Sequence, residues 1–121
     1  MHHEILNQTL KTQVFELDFD ERIEKVIVHS DIFIVLLDPT DGRGRVRGCV
    51  KNNVYGVNSV GEIIWQIQSP ENARPDSYGD DEGVFVGIGQ LPDGNLTAIT
   101  YVYVYRLDCN TGNITFLTVH R

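Results

Sequence analysis

Six consecutive apolar residues, Ile32-Phe33-Ile34-Val35-Leu36-Leu37, stand between Ser30-Asp31 and Pro39-Thr40-Asp41-Gly42. Side chains of a strand alternate between its two faces, so a strand with no polar position is a central one covered on both sides. Proline lacks the ladder donor and glycine frees the backbone, which ends the run. The chain must therefore supply apolar layers on either side of this segment. Its composition is suited to that: 14 Val, 11 Ile and 8 Thr stand against 2 Ala, 1 Met and 3 Lys. β-branched residues lose rotamer freedom on a helix and pack well on a pleated surface, which excludes a helical bundle. The run is also the longest apolar stretch, far below the ~20 residues of a membrane-spanning helix, so no membrane is expected. At 121 residues the expectation is one domain, all-β and antiparallel.

Other segments show strand periodicity. Phe15, Leu17 and Phe19 alternate with Glu16 and Asp18, and Ile23 to His29 alternates after a turn at Asp20-Glu21-Arg22. Further strands are predicted at Val54 to Asn58, Glu62 to Ile67, Val84 to Gln90, Leu96 to Thr100, Val102 to Asp108 and Ile114 to Val119. No helix of three turns is expected. The domain 1–121 divides into an N-terminal strand and turn (1–22), a first four-stranded meander (23–67), an acidic loop (68–83) and a second meander (84–121). The Phe15 strand is expected to join one of the two sheets.

The meanders share a pattern. Val54-Tyr55-Gly56-Val57-Asn58-Ser59-Val60-Gly61-Glu62-Ile63-Ile64-Trp65 can be laid on Val104-Tyr105-Arg106-Leu107-Asp108-Cys109-Asn110-Thr111-Gly112-Asn113-Ile114-Thr115-Phe116, with one extra residue in the second turn. Each copy is an apolar strand, an Asn or Asp able to bond turn amides, a glycine allowing positive φ, and a strand ending in a large aromatic. These hairpins resemble the quinoprotein-type β-propeller blade, whose usual form reads Tyr-x-x-Asp-x-x-Thr-Gly-x-x-x-Trp. The second copy matches at Tyr105, Asp108, Thr111 and Gly112, with Phe116 for the Trp; the first has Tyr55, Gly61 and Trp65, with Asn58 for the Asp. The wider layout resembles a family of small bacterial proteins of unknown function. The resemblance implies a propeller-like meander and brings no cofactor and no catalytic residue. A closed propeller needs at least four blades, so two meanders are expected to pack as a small sandwich or a partial propeller. Trp65 closes its hairpin and is expected to be buried.

Seventeen Asp and Glu against ten Lys and Arg give a net charge of −7, which disfavours nucleic acid as a partner. Glu4, Asn7, Gln8, Lys11 and Gln13 interrupt any signal-peptide pattern. Cys49 and Cys109 lie far apart and suggest neither a zinc site nor a disulfide framework, so the expected setting is a cytoplasmic one with reduced thiols.

No catalytic set is expected, because His29 and His120 lack a local partner and no serine sits in a nucleophile elbow. The carboxylates Asp76, Asp80, Asp81 and Glu82 lack the spacing of a calcium loop, so no metal is expected. They form instead an acidic protein-binding segment. Arg43, Arg45 and Arg47, at every second residue, make a patch of the kind that binds phosphate or carboxylate, or that pairs with the acidic segment. Tyr101, Tyr103 and Tyr105 alternate on one face, which serves either as core or as a rigid contact surface. The strand from Val102 to Leu107 carries one charge and no proline; read as an open sheet edge, it predicts a homodimer. The function expected is a non-enzymatic protein-binding module, immunity-like, neutralising a basic partner such as a toxin nuclease. The competing expectation is an enzyme or small-ligand binder with a pocket near Trp65 and the arginines.

Overall fold

Every residue from Ile32 to Leu37 is buried, and the two faces of this strand look into different cores. A computed structural model describes residues 2–40, 50–70 and 83–119. The N-terminal segment forms β1 (Glu4–Leu6), β2 (Thr9–Lys11) and β3 (Glu16–Asp18), paired in that order. A central sheet follows, with β4 (Ile23–His29), β5 (Ile32–Leu37), β6 (Val54–Val57) and β7 (Ile63–Gln66) in sequence order. A second four-stranded sheet has β8 (Phe85–Gln90), β9 (Leu96–Thr100), β10 (Tyr103–Leu107) and β11 (Ile114–Val119), again in sequence order. All pairings are antiparallel, and the described residues contain no α-helix.

The result is three layers. Phe33, Val35 and Leu37 pack with Leu10 and Phe19 of the N-terminal layer. Ile32, Ile34 and Leu36 pack with Phe85, Tyr103 and Tyr105 of the second sheet. The expected strand at Phe15 therefore joins neither four-stranded sheet. It forms, with two strands too short to show a period, a sheet of its own. Phe15 lies across the β6–β7 turn, where a Cβ added to Gly61 would meet its ring at 2.6 Å.

A second correction concerns β10, which lies between β9 and β11 and is no sheet edge. Its expected start at Val102 is also displaced. Thr100 Oγ1 accepts bonds from the amides of Val102 and Tyr103, at 3.2 and 3.1 Å, so Tyr101 and Val102 belong to a tight turn.

The two similar hairpins are locked as their residues suggest. Asn58 Oδ1 accepts from the Val60 and Glu62 amides at 3.1 and 2.9 Å, and Asp108 Oδ1 accepts from the Asn110 amide at 2.9 Å. Corresponding residues do not face one another across the sandwich. Tyr55 and Val57 face the N-terminal layer, whereas Tyr105 and Leu107 face the central sheet. Each four-stranded sheet turns the same side towards the layer before it, so the stack has a single sense.

Trp65 joins the two sheets. It is 7% exposed, as expected, and its indole rests on Gly56, its cross-strand partner. On the other side, a Cβ on Gly112 would meet the ring at 2.7 Å. Trp65 Nε1 donates to Cys109 O at 2.7 Å, the Gln68 amide donates to Gly112 O at 2.9 Å, and the Ile114 amide donates to Gln68 Oε1 at 3.0 Å.

Candidate interaction surface

Beyond Leu37 the chain is held by Asp38, which is 5% exposed. Its Oδ2 accepts from Arg22 Nη2 and Nε at 2.6 and 3.1 Å; its Oδ1 accepts from the Thr40 amide and hydroxyl at 2.8 and 2.7 Å. Burial pushes the Asp38 carboxyl up, but the Thr40 bonds and the Arg22 guanidinium outweigh it and hold its pKa below the usual value. The chain leaves for residues 41–49 from this clamp and returns at the buried Val50.

Asn53 then fastens the second sheet. Its side chain is 2% exposed; Nδ2 donates to both Leu37 O and Phe85 O, and Oδ1 accepts from the Phe85 amide, each at 2.8 Å. The amide thus stands in for a strand between the end of β5 and the start of β8. Its neighbour Asn52 donates its backbone N–H to Gly83 O at 2.8 Å. Gly83 in turn lies against Pro70, where an added Cβ would meet Cδ at 3.1 Å. Pro70 and Gly83 flank residues 71–82, so the two ends of that segment meet each other, and Asn52 holds the Gly83 end. The 41–49 and 71–82 segments are therefore rooted together at one end of the central sheet.

Beside these roots is a cleft of ≈ 320 Å³, lined in part by Asp18, Asp20, Glu21, Lys51 and Tyr55. Three carboxylates oppose one ammonium there. Burial, with the Asp20 charge adding to it, pushes the Tyr55 phenol up, so it remains a neutral hydrogen-bonding group near neutral pH. A second cleft, ≈ 370 Å³, lies where His29 meets the β8–β9 and β10–β11 turns, with Arg106, Asp108 and Cys109 in its wall. Burial and then the Asp108 charge push the Cys109 thiol up, which makes it a poor nucleophile.

The sequence-derived candidates fall into two groups. Arg43, Arg45, Arg47, Asp76, Asp80, Asp81 and Glu82 lie outside the described residues. The tyrosine row is inside them, and its reading as a contact surface is corrected. Tyr103 and Tyr105 are 0% exposed, packed edge to face on each other and on Phe116 and Phe85. Only Tyr101, on the β9–β10 turn, is outside, at 63%. Among the described residues, no three His, Cys, Asp or Glu side chains gather closely enough to hold a metal ion. The space beside Trp65 is filled by Gly56 and Gly112. Asn52 and Asn53, which organise the roots, carry no motif; their only sequence signal is a polar pair directly before an apolar strand.

Fold and surface together define a small antiparallel all-β protein with two four-stranded meanders, a third short sheet, and two segments rooted at one end. The chain belongs to the family described as a domain of unknown function (DUF7957), whose model matches residues 1–118. No curated protein and no solved structure matches it.

Proposed function

We propose that this chain is a non-enzymatic, immunity-like protein-binding module that receives a basic partner where residues 41–49 and 71–82 are rooted. The observation that carries this reading is the meeting of Pro70, Gly83 and Asn52, with Asn53 bonded to both β5 and β8. Recognition segments mounted on a fixed base lose less freedom on binding. Charge supports the choice of partner. Residues 71–82 carry five carboxylates, Glu71, Asp76, Asp80, Asp81 and Glu82, against Arg74 alone, and Asp18, Asp20 and Glu21 line the cleft beside the roots. A field of one sign accelerates encounter with the opposite sign and rejects like-charged competitors. In this reading Arg43, Arg45 and Arg47 hold the acidic segment or a carboxylate of the partner.

The single sense of the sheet stack, with Trp65 of one hairpin seated on the glycine of the next, supports reading the meanders as consecutive propeller-like blades. The test is kinetic. A basic protein captured on the immobilised chain is purified, and its association is followed with wild type and with the Asp80→Asn, Asp81→Asn, Glu82→Gln variant. The variant should associate roughly tenfold or more slowly at ~0.01 M salt, the gap narrowing by ~0.15 M, with unchanged thermal stability. Equal rates at low salt would remove the acidic segment from the binding surface.

A further inference from the structure

The cleft beside the roots has an apolar floor under an anionic rim. Phe19, 6% exposed, and Tyr55 bring their ring centroids within 5.6 Å of each other, and Ile63, 49% exposed, stands in the same wall. Half of that isoleucine therefore faces water on the cleft's own lining. The rim comes from the chain leaving β3, where the two-residue alternation buries Phe19 and leaves Asp18 and Asp20 exposed on either side of it. Asp18 Oδ1 accepts from the Thr9 hydroxyl, and Glu21 follows Asp20 into the lining. Among the described residues, ion pairs join Lys11 to Glu16 and Arg22 to Glu24 and Asp38; Asp18, Asp20 and Lys51 take part in none. At ≈ 320 Å³ the space lies at the lower end of the range of small-ligand pockets, about 300–1,000 Å³, and suits a side chain better than a strand or helix.

We infer that this cleft receives one arginine side chain of the basic partner, its methylenes against Tyr55 and Ile63 and its guanidinium among Asp18, Asp20 and Glu21. Long cationic side chains lay their stems on apolar surface and keep the charged head among polar groups. A guanidinium also stacks on aromatic rings and presents a donor fork that matches carboxylates. A bare metal cation would make no use of the apolar floor, and an apolar or anionic group would strip water from the carboxylates without pairing them. The occupant is fixed by charge complementarity, since three carboxylates face one ammonium in the cleft and the chain carries a net charge of −7. The inference rests on the function proposed above for the source of the side chain, and not on the acidic segment at 71–82.

The test is a titration of the whole chain with N-acetyl-arginine-N-methylamide at ~0.01 M salt, followed by amide chemical shifts. Shifts should saturate and centre on Phe19, Tyr55 and Ile63. The citrulline analogue, a neutral isostere, and the guanidinium ion, which lacks the stem, should each bind at least about fivefold more weakly. Asp20→Asn, at an exposed residue, should weaken the probe at least about fivefold; should that variant not fold, the three wild-type titrations decide. Free arginine should bind no more tightly than the blocked probe, because the site is for a side chain within a polypeptide. An absence of saturable shifts at the cleft, equal binding of the citrulline analogue or of guanidinium, a folded Asp20→Asn variant with undiminished binding, or a preference for free arginine overturns the inference. Equal association rates in the kinetic test above would instead remove the acidic segment and leave the probe titration standing.

Discussion

At Trp65, burial and a hydrogen bond act through one side chain, with the indole between Gly56 and Gly112 and its N–H on Cys109 O. Trp65→Ala removes both and should cost about 3–5 kcal/mol in denaturant unfolding. A loss below about 1 kcal/mol would mean that the two sheets do not depend on this contact. Asp38 predicts a pH dependence. Its folded pKa is depressed, so the carboxylate contributes stability above the unfolded value of 3.8, and that contribution disappears as pH falls through the lower folded value. Unfolding of the wild type between neutral and acid pH should therefore show a loss that Asp38→Asn, already weakened at neutral pH, does not show at that step. Parallel pH profiles would remove Asp38 from the acid response.

The strands themselves differ in how openly the sequence declares them. β5, β9 and β11 run over the residues that periodicity and apolar runs predict, because the two-residue repeat is a local property. β1 and β2 were not legible, since three residues cannot display a period. The tyrosine row shows a subtler limit. Tyr103 and Tyr105 do share a face, but which face is covered depends on the sheet packed against it, and whether β10 is an edge depends on strand order. Neither is encoded locally. One turn also carries removable strain: Ser30 and Asp31 join β4 to β5 with φ of 50° and 63°. Two positive values in a two-residue hairpin favour Asn-Gly. Ser30→Asn with Asp31→Gly should therefore raise stability by about 0.5–1 kcal/mol, read as a higher unfolding midpoint. A lower midpoint would show that the native pair makes compensating bonds.

For the molecule as a whole, the N-terminal layer is structural, because it closes the second face of β5. Leu10, 0% exposed, is its anchor, and Leu10→Ala should cost about 2–5 kcal/mol and release residues 2–19 to rapid proteolysis. Proteolysis unchanged from wild type would mean that this layer holds without its central side chain. The two segments of the candidate surface were legible from charge alone; their common root was not, because it depends on contacts such as Asn53 to Phe85, 32 positions apart. That root has a consequence for variation. With Pro70 and Gly83 already touching, the sheets fix where the two ends of the intervening segment stand. Closure entropy grows only logarithmically, by about 0.6 kcal/mol for each doubling of length. The port between Pro70 and Gly83 can thus accept a grafted peptide or a wholly different sequence while the scaffold keeps its melting behaviour, so specificity is free to diverge faster than the fold that displays it.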